Sequence, residues 1–296
     1  MPTGVIDIGT NTMLLLVVDE QMAPIIDVCR FARLGQGLDA SGQLADDAIA
    51  RGLDVCREYR KVLDAHGVDV PIVVGTQALR EAHNRDAFTA PAHDILRAPV
   101  EVISGGREAE LVFASVARTF PELARLIVVD VGGGSTEIIV GEGGAIASAT
   151  SLPIGAVRLT ERHVKGDPPT AEEARALFRD IDAQLAALEL PQGVPVVATA
   201  GTATTLAAIA QRLATYDANA VTGYRMNAMA LDAQLARLLT ANVAARRAMR
   251  GMEAGRADVI AAGVAILSRL VSRVEAPEMI VADRGVRWGI AYERAS

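Results

Sequence analysis

Val5-Ile6-Asp7-Ile8-Gly9-Thr10-Asn11-Thr12 and Val128-Val129-Asp130-Val131-Gly132-Gly133-Gly134-Ser135 are two copies of one pattern. Each is a short apolar run carrying an aspartate, followed by a turn of glycine and small polar residues. Apolar runs of this length, bounded by turn residues, predict buried strands. The first copy leads into the apolar run Met13 to Val18 and the second into Glu137 to Val140, so each predicts strand, turn, strand. A repeat of this kind predicts two similar lobes, each presenting an aspartate and a glycine turn, with a cleft between them.

Working outward, residues 24–31 predict a third strand, and 45–66 a helix with Ile49, Leu53, Cys56, Tyr59 and Leu63 on one face and Gly67 at its end. Strands are expected over 71–76 and 100–104 and a helix over 108–119, stopped before Pro121. The second round predicts strands over 126–131, 137–140 and 145–152. A helix over 170–188 follows, opened by the capping pattern Thr170-Ala171-Glu172-Glu173. A strand over 194–199, helices over 202–213, 230–241 and 255–274, a strand over 279–282 and a helix over 285–294 complete the expectation.

Composition narrows the function classes. Apolar residues make up 51% and charged residues 22% of the chain, as in an ordinary α/β protein. Aromatics are only 3%, too few for base-stacking platforms, and the net charge of −7 provides no global basic field, so no nucleic-acid partner is expected. No basic leader precedes the first strand and no apolar run is long enough to span a bilayer, so the expectation is a cytoplasmic protein without a membrane partner. Cys29 and Cys56 have no metal spacing and read as reduced structural thiols; the four histidines form no metal motif.

The turns carry the chemistry. Glycine lets backbone N–H groups approach an oxyanion closely, so Gly9 and Gly132, Gly133 and Gly134 are candidate phosphate contacts, with Thr10, Asn11, Thr12 and Ser135 adding donors. The alternative is a tight hairpin with no ligand. Gly201 and Thr202 lie between a predicted strand and helix, where N-terminal N–H groups suit an anion, although a Thr-capped connection looks the same. Asp130 and Glu137 flank the second turn, and hard carboxylate oxygens there suit Mg²⁺ (or Mn²⁺), with Asp7 as the equivalent acid in the first copy. Acids at turns also serve as caps or pair with arginine. Glu108 follows Ile103-Ser104-Gly105-Gly106-Arg107 in a first helical turn, where it either activates a water or complements the helix dipole. Arg80, after a buried strand, and Arg33 and Arg284, in glycine-rich settings, are candidate phosphate ligands.

These residues together resemble the exopolyphosphatase/guanosine pentaphosphate phosphohydrolase family, in its short two-domain form, within the actin, sugar kinase and Hsp70 superfamily. The resemblance is carried by Asp7 to Thr12, Thr76 to Arg80, Ile103-Ser104-Gly105 with Glu108, Asp130 to Glu137, Pro153 to Thr160, and Ala200-Gly201-Thr202. It implies an α/β, actin-like fold whose lobes are ribonuclease-H-like mixed sheets with flanking helices. The lobes would comprise 1–121 and 122–296, with the last helix, 284–296, able to pack back on the first. It further implies Glu108 as catalytic base, metal near Asp130 and Glu137, phosphate on the glycine turns, and Arg80 on the substrate. The substrate would be inorganic polyphosphate or guanosine pentaphosphate, and a homodimer is compatible with the resemblance. Because the chain ends near residue 296, without the C-terminal helical domains of longer members, short chains are expected to be favoured over long ones. The rival readings are an ATP-dependent sugar or acid kinase of the same superfamily and a non-catalytic sensor of the same ligands.

Overall fold

A strand buried on both faces along nearly its whole length, as these largely apolar runs require, sits in the middle of a sheet. The computed structural model, which describes residues 2–295, places Thr3–Ile8 (β1) and Arg125–Val131 (β6) at such positions. β1 pairs antiparallel with Met13–Val18 (β2), which pairs antiparallel with Pro24–Arg30 (β3). On its other side β1 pairs parallel with Ile72–Gly75 (β4), and β4 with Val100–Val102 (β5), giving the order β3-β2-β1-β4-β5. β6 repeats the arrangement. Thr136–Glu142 (β7) and Ala145–Leu152 (β8) continue it as an antiparallel meander. Val196–Thr199 (β9) and Met279–Val281 (β11) lie parallel on the other side, with the short Arg225–Met226 (β10) antiparallel at the edge. The order of the second sheet, β10-β11-β9-β6-β7-β8, is that of the first read from the opposite edge, extended by one strand. The repeat seen in the sequence is therefore a repeat of topology, and both sheets are mixed and flanked by helices, as the ribonuclease-H-like expectation requires.

The described chain forms two compact units. Residues up to Ser115, together with those from Val286 onward, make the first, and Val116–Gly285 makes the second. Each has its own apolar core. The first packs Ile6, Ile8, Leu15, Tyr59, Leu63 and Phe88, and the second packs Ile127, Val129, Leu177, Ile181, Leu206 and Leu267. The long helices behave as their sequences predict. Asp46–Ala65 buries Cys56, Tyr59 and Leu63. Ala171–Ala186 begins with a reciprocal capping box between Thr170 and Glu173. Two helices of at least two turns lie where none was expected, Asp86–Leu96, which contains Pro91, and Ala156–His163, besides short ones such as Gln77–Glu81. Among the described residues no helix is long and apolar enough to cross a membrane.

The last helix, Val286–Ala295, is part of the first unit for identifiable reasons. Arg287 makes a two-pronged ion pair with Asp27 of β3, at 3.0 and 3.1 Å, and Glu293 accepts from Arg107 of helix Gly105–Thr119. Gly289 has no side chain because the Leu111 backbone lies where its Cβ would be. Substituting Gly289→Ala should force these two helices apart and cost about 1–3 kcal/mol, the usual scale of overpacking. Urea denaturation of the variant against wild type measures this.

Candidate functional site

In the first unit the Asp7 turn is closed by the Gly9 N–H donating to the Thr12 carbonyl at 2.9 Å. The segment after β3 locks it. The N–H groups of Arg33 and Gly35 donate to the carbonyls of Asn11 and Thr10, both at 2.9 Å, and Arg33 takes a left-handed φ of 51° to do so. Gly35 must lack a side chain because Thr10 occupies the space of its Cβ. Thr10 and Asn11 are buried, and Gly9 and Thr12 half-buried.

Glu108 and Arg80, singled out separately in the sequence, are brought together. Ser104 starts helix Gly105–Thr119, its hydroxyl accepting from the Arg107 N–H at 3.1 Å, and so sets Glu108 in the first turn. Arg80 projects from the short helix Gln77–Glu81 and donates to Glu108 Oε2 at 2.7 Å, to the Ile103 carbonyl at 2.9 Å and to Gln77 Oε1 at 2.7 Å. Burial pushes the Glu108 carboxyl above the ordinary range, and the Arg80 guanidinium offsets part of that rise. Burial also pushes Asp7 up to about 7, helped by the negative charge of Glu108 and opposed by Arg287. Among the described residues Asp7 Oδ1 has no hydrogen-bond partner.

In the second unit Asp130 and Glu137 are register partners on β6 and β7. Directly opposed residues of an antiparallel pair point to the same face, so the two carboxylates are neighbours. The row extends both ways, because Asp130 is also paired with Thr199 of β9 and Glu137 with Ser151 of β8. Ser151 Oγ donates to Glu137 Oε1 at 2.7 Å. The position that a Cβ of Gly285 would take is 3.8 Å from Asp130 Oδ2, and the Thr199 hydroxyl reaches the Arg284 carbonyl at 3.5 Å, so the backbone of Arg284 and Gly285 lies beside this row.

Two buried like charges side by side destabilise a sheet unless a cation or protons accompany them. The donor set is all oxygen, and among the described residues no cluster of three or more His, Cys, Asp or Glu could cage a metal. Two adjacent carboxylates fit Mg²⁺, which keeps waters and shares itself with phosphate oxygens. Asp7 differs. Its register partners are Leu14 and Val74, so no carboxylate stands on a strand next to it; Glu101 of β5 is one strand further along the row.

Around the second turn, Gly132 N–H donates to the Ser135 carbonyl at 3.0 Å, closing the loop as in the first unit. Thr202 Oγ1 donates to the Val131 carbonyl at 3.3 Å, leaving its backbone N–H as what it can offer an anion. Helix Ala200–Ala210 begins from Ala200 at φ 62°, a left-handed conformation unusual outside glycine that turns the chain sharply out of β9. One residue at this helix start was not foreseen. The guanidinium of Arg256 lies directly against Gly201, filling the space a Cβ would need, and Arg256 Nε donates to Glu253 at 2.8 Å. Only the glycine at 201 permits this approach, and the sequence distance between the two conceals it.

The sheet order of each unit, centred on an aspartate and its glycine turn, defines a protein of the actin-like class. A model of the Ppx/GppA phosphatase family matches residues 15–296, and the chain belongs to that family. It is similar to exopolyphosphatase 2 of Mycobacterium tuberculosis, 38% identical over 311 aligned positions covering 98% of this chain and 97% of that one. It is also similar to a guanosine-5'-triphosphate,3'-diphosphate pyrophosphatase of Vibrio cholerae, 34% identical over 97% of this chain but only 58% of that protein. Among solved structures, an exopolyphosphatase from Cytophaga hutchinsonii superposes with a TM-score of 0.90 at 28% identity, covering all of this chain and 98% of that one.

Asp7 makes a pH dependence testable. A carboxyl whose pKa is higher folded than unfolded binds its proton more tightly in the native state. Its stabilising contribution is therefore complete below about 3.8 and is lost as pH rises towards about 7. Asp7→Asn should remove that loss. The stability of the variant relative to wild type should rise between pH 4 and pH 7, by at most about 1.4 kcal/mol for each step of one in pH, and flatten above. Denaturant midpoints across that pH range give the answer.

Proposed function

We propose that this chain hydrolyses terminal phosphoanhydride bonds of inorganic polyphosphate, of guanosine pentaphosphate, or of both, with a divalent cation. The observation that carries the reading is the buried Glu108–Arg80 pair. A carboxylate held by a guanidinium at a helix start, with its pKa raised by burial, is suited to accept a proton from water near neutral pH. The names of the M. tuberculosis and V. cholerae relatives support the bond type and the two candidate substrates.

In this reading Glu108 takes the proton of the attacking water as its oxygen bonds the terminal phosphorus and the bridging P–O bond breaks. Arg80, fixed by the Ile103 carbonyl and Gln77, keeps the carboxylate in one orientation. The remaining guanidinium surface is available to a phosphate oxygen. Backbone donors of Gly9 to Thr12, of Gly132 to Ser135 and of Gly201 and Thr202 are the proposed phosphate contacts, with Arg256 and the earlier candidates Arg33 and Arg284 as cationic ones. Asp130 and Glu137 would hold Mg²⁺ or Mn²⁺, which when bound supplies neutralisation of the phosphoryl charge. Positioning and charge neutralisation are the main demands of phosphoryl transfer.

Glu108→Gln keeps the shape of the side chain and removes its basicity, so kcat should fall about 10²–10⁴-fold with little change in stability. In the wild type, kcat/KM should fall as pH is lowered through the raised pKa of Glu108. Phosphate release from tripolyphosphate and guanosine pentaphosphate, followed from pH 5 to 9, tests both; a variant with wild-type turnover removes Glu108 from the mechanism.

Chelation provides the second check. Activity should vanish in excess EDTA and return with Mg²⁺ or Mn²⁺. Asp130→Asn should raise the concentration of cation needed for half-maximal rate, because one of only two carboxylates is lost. Undiminished turnover in EDTA would contradict the cation's role.

A further inference from the structure

The run Pro153 to Thr160 belongs to the family resemblance, yet none of its side chains has a part in the reading above. In the structure it becomes the clamp of the second glycine turn. Helix Ala156–His163 starts against that turn, and its first N–H groups donate to turn carbonyls. Ala156 donates to Gly132 at 2.9 Å, and Val157 and Arg158 donate to Gly133 at 2.9 and 3.1 Å. The buried side chain of Arg158 takes the next carbonyl, its Nε donating to Gly134 at 2.8 Å. The approach is possible only because residue 155 is glycine, since a Cβ there would stand 2.5 Å from the carbonyl carbon and oxygen of Gly133.

Peptide planarity turns this anchoring into an orientation. In a trans peptide unit the N–H points opposite to the preceding C=O. With the carbonyls of Gly132, Gly133 and Gly134 drawn towards the helix, the N–H groups of Gly133, Gly134 and Ser135 are turned away from it. None of the three donates to another group among the described residues. They form a set of aligned, unspent donors of the kind that receives an anion. Backbone groups fix the first two carbonyls, but the third depends on one side chain.

We infer that Arg158 is a positioning residue for phosphate binding, acting through the Gly134 carbonyl to aim the Ser135 N–H at a substrate phosphate. The inference rests on the phosphohydrolase reading for its ligand class. The loop would hold phosphate before and during reaction alike, so loss of Arg158 should weaken binding and leave the chemical step largely intact. A residue that merely holds the helix would lower stability without this selectivity.

The experiment compares wild type with Arg158→Met, which keeps the apolar stem, and Arg158→Lys, which keeps the charge but loses the Nε donor. Thr160→Val is the control, because among the described residues the Thr160 hydroxyl bonds within the same helix, to the Ala156 carbonyl at 2.7 Å. For each, kcat and KM are measured on tripolyphosphate, Kd for tripolyphosphate by calorimetry in EDTA, where turnover is stopped, and Tm. Both Arg158 variants should raise KM and Kd about ten-fold, the scale of one charge-assisted hydrogen bond, with kcat within about three-fold of wild type. Thr160→Val should change neither, whatever its Tm. An unchanged Kd in the Arg158 variants overturns the inference, as does an equal weakening in Thr160→Val at matched loss of Tm. Should Arg158→Met fail to fold, Arg158→Lys decides. If wild type binds tripolyphosphate but cleaves neither it nor guanosine pentaphosphate, the hydrolase reading fails, while the Kd comparison still judges Arg158. If wild type does not bind at all, both fail.

Discussion

The cost of burying carboxylates at the ends of central strands governs the arrangement around both aspartate turns. Asp7, Glu108, Asp130 and Glu137 are each less than a tenth exposed. An isolated buried charge is expensive by several kcal/mol, so each must be met by a partner, a proton or a cation. Glu108 is met by Arg80, which also donates to a backbone carbonyl and a side-chain amide, so the pair is held in one orientation. Glu137 is met by the Ser151 hydroxyl and stands next to Asp130, an arrangement that favours a bound cation. Asp7 lies between aliphatic neighbours and is driven towards its protonated form. The environments differ, and the chemistry each acid can perform differs with them.

A second constraint is that a loop meant to offer its N–H groups outward must have its carbonyls held inward. Both units satisfy it with different means. In the first, the backbone of Arg33 and Gly35 takes the carbonyls of Asn11 and Thr10, at the cost of a left-handed arginine. In the second, a helix N-terminus and Arg158 take the carbonyls of three successive glycines. Gly35 and Gly155 are required for the same reason, since each faces atoms already in the place of a Cβ. Glycine here serves close approach rather than flexibility.

The strands were the legible part of the sequence because apolar runs between turn residues have few other outcomes. β2 and β8 coincide with their expected limits, and helix Ala171–Ala186 with its capping box was readable from Thr170 and Glu173 alone. Helix Asp86–Leu96 escaped because Pro91 interrupts it at a place normally read as a break, and Ala156–His163 because it is short and follows Pro153 and Gly155. The helix expected from Gly255 starts at Ile260, since Ala254–Arg256 is spent on a tight turn that carries Arg256 to Gly201. Candidate site residues could be chosen by type and local setting, but their partners could not. That Arg80 meets Glu108, and that Arg287 is engaged by Asp27, are facts of tertiary packing with no local signature.

The repeat shows where reading by analogy stops. Asp7 and Asp130 occupy the same place in the same topology, and that equivalence alone made Asp7 a metal candidate. What a strand residue can do depends on its neighbours across the sheet, and those come from other strands with their own sequences. Where Asp130 has Glu137, Asp7 has Leu14; where Asp130 has Thr199, Asp7 has Val74. The two units share the backbone path and the turn, and differ in the residues that the flanking strands set beside the aspartate. The first unit instead places an acid–arginine pair after β4 and β5, where the second has its Gly201 turn and Arg256 after β9. Cross-strand neighbours, rather than the shared motif, therefore set the surroundings of each aspartate.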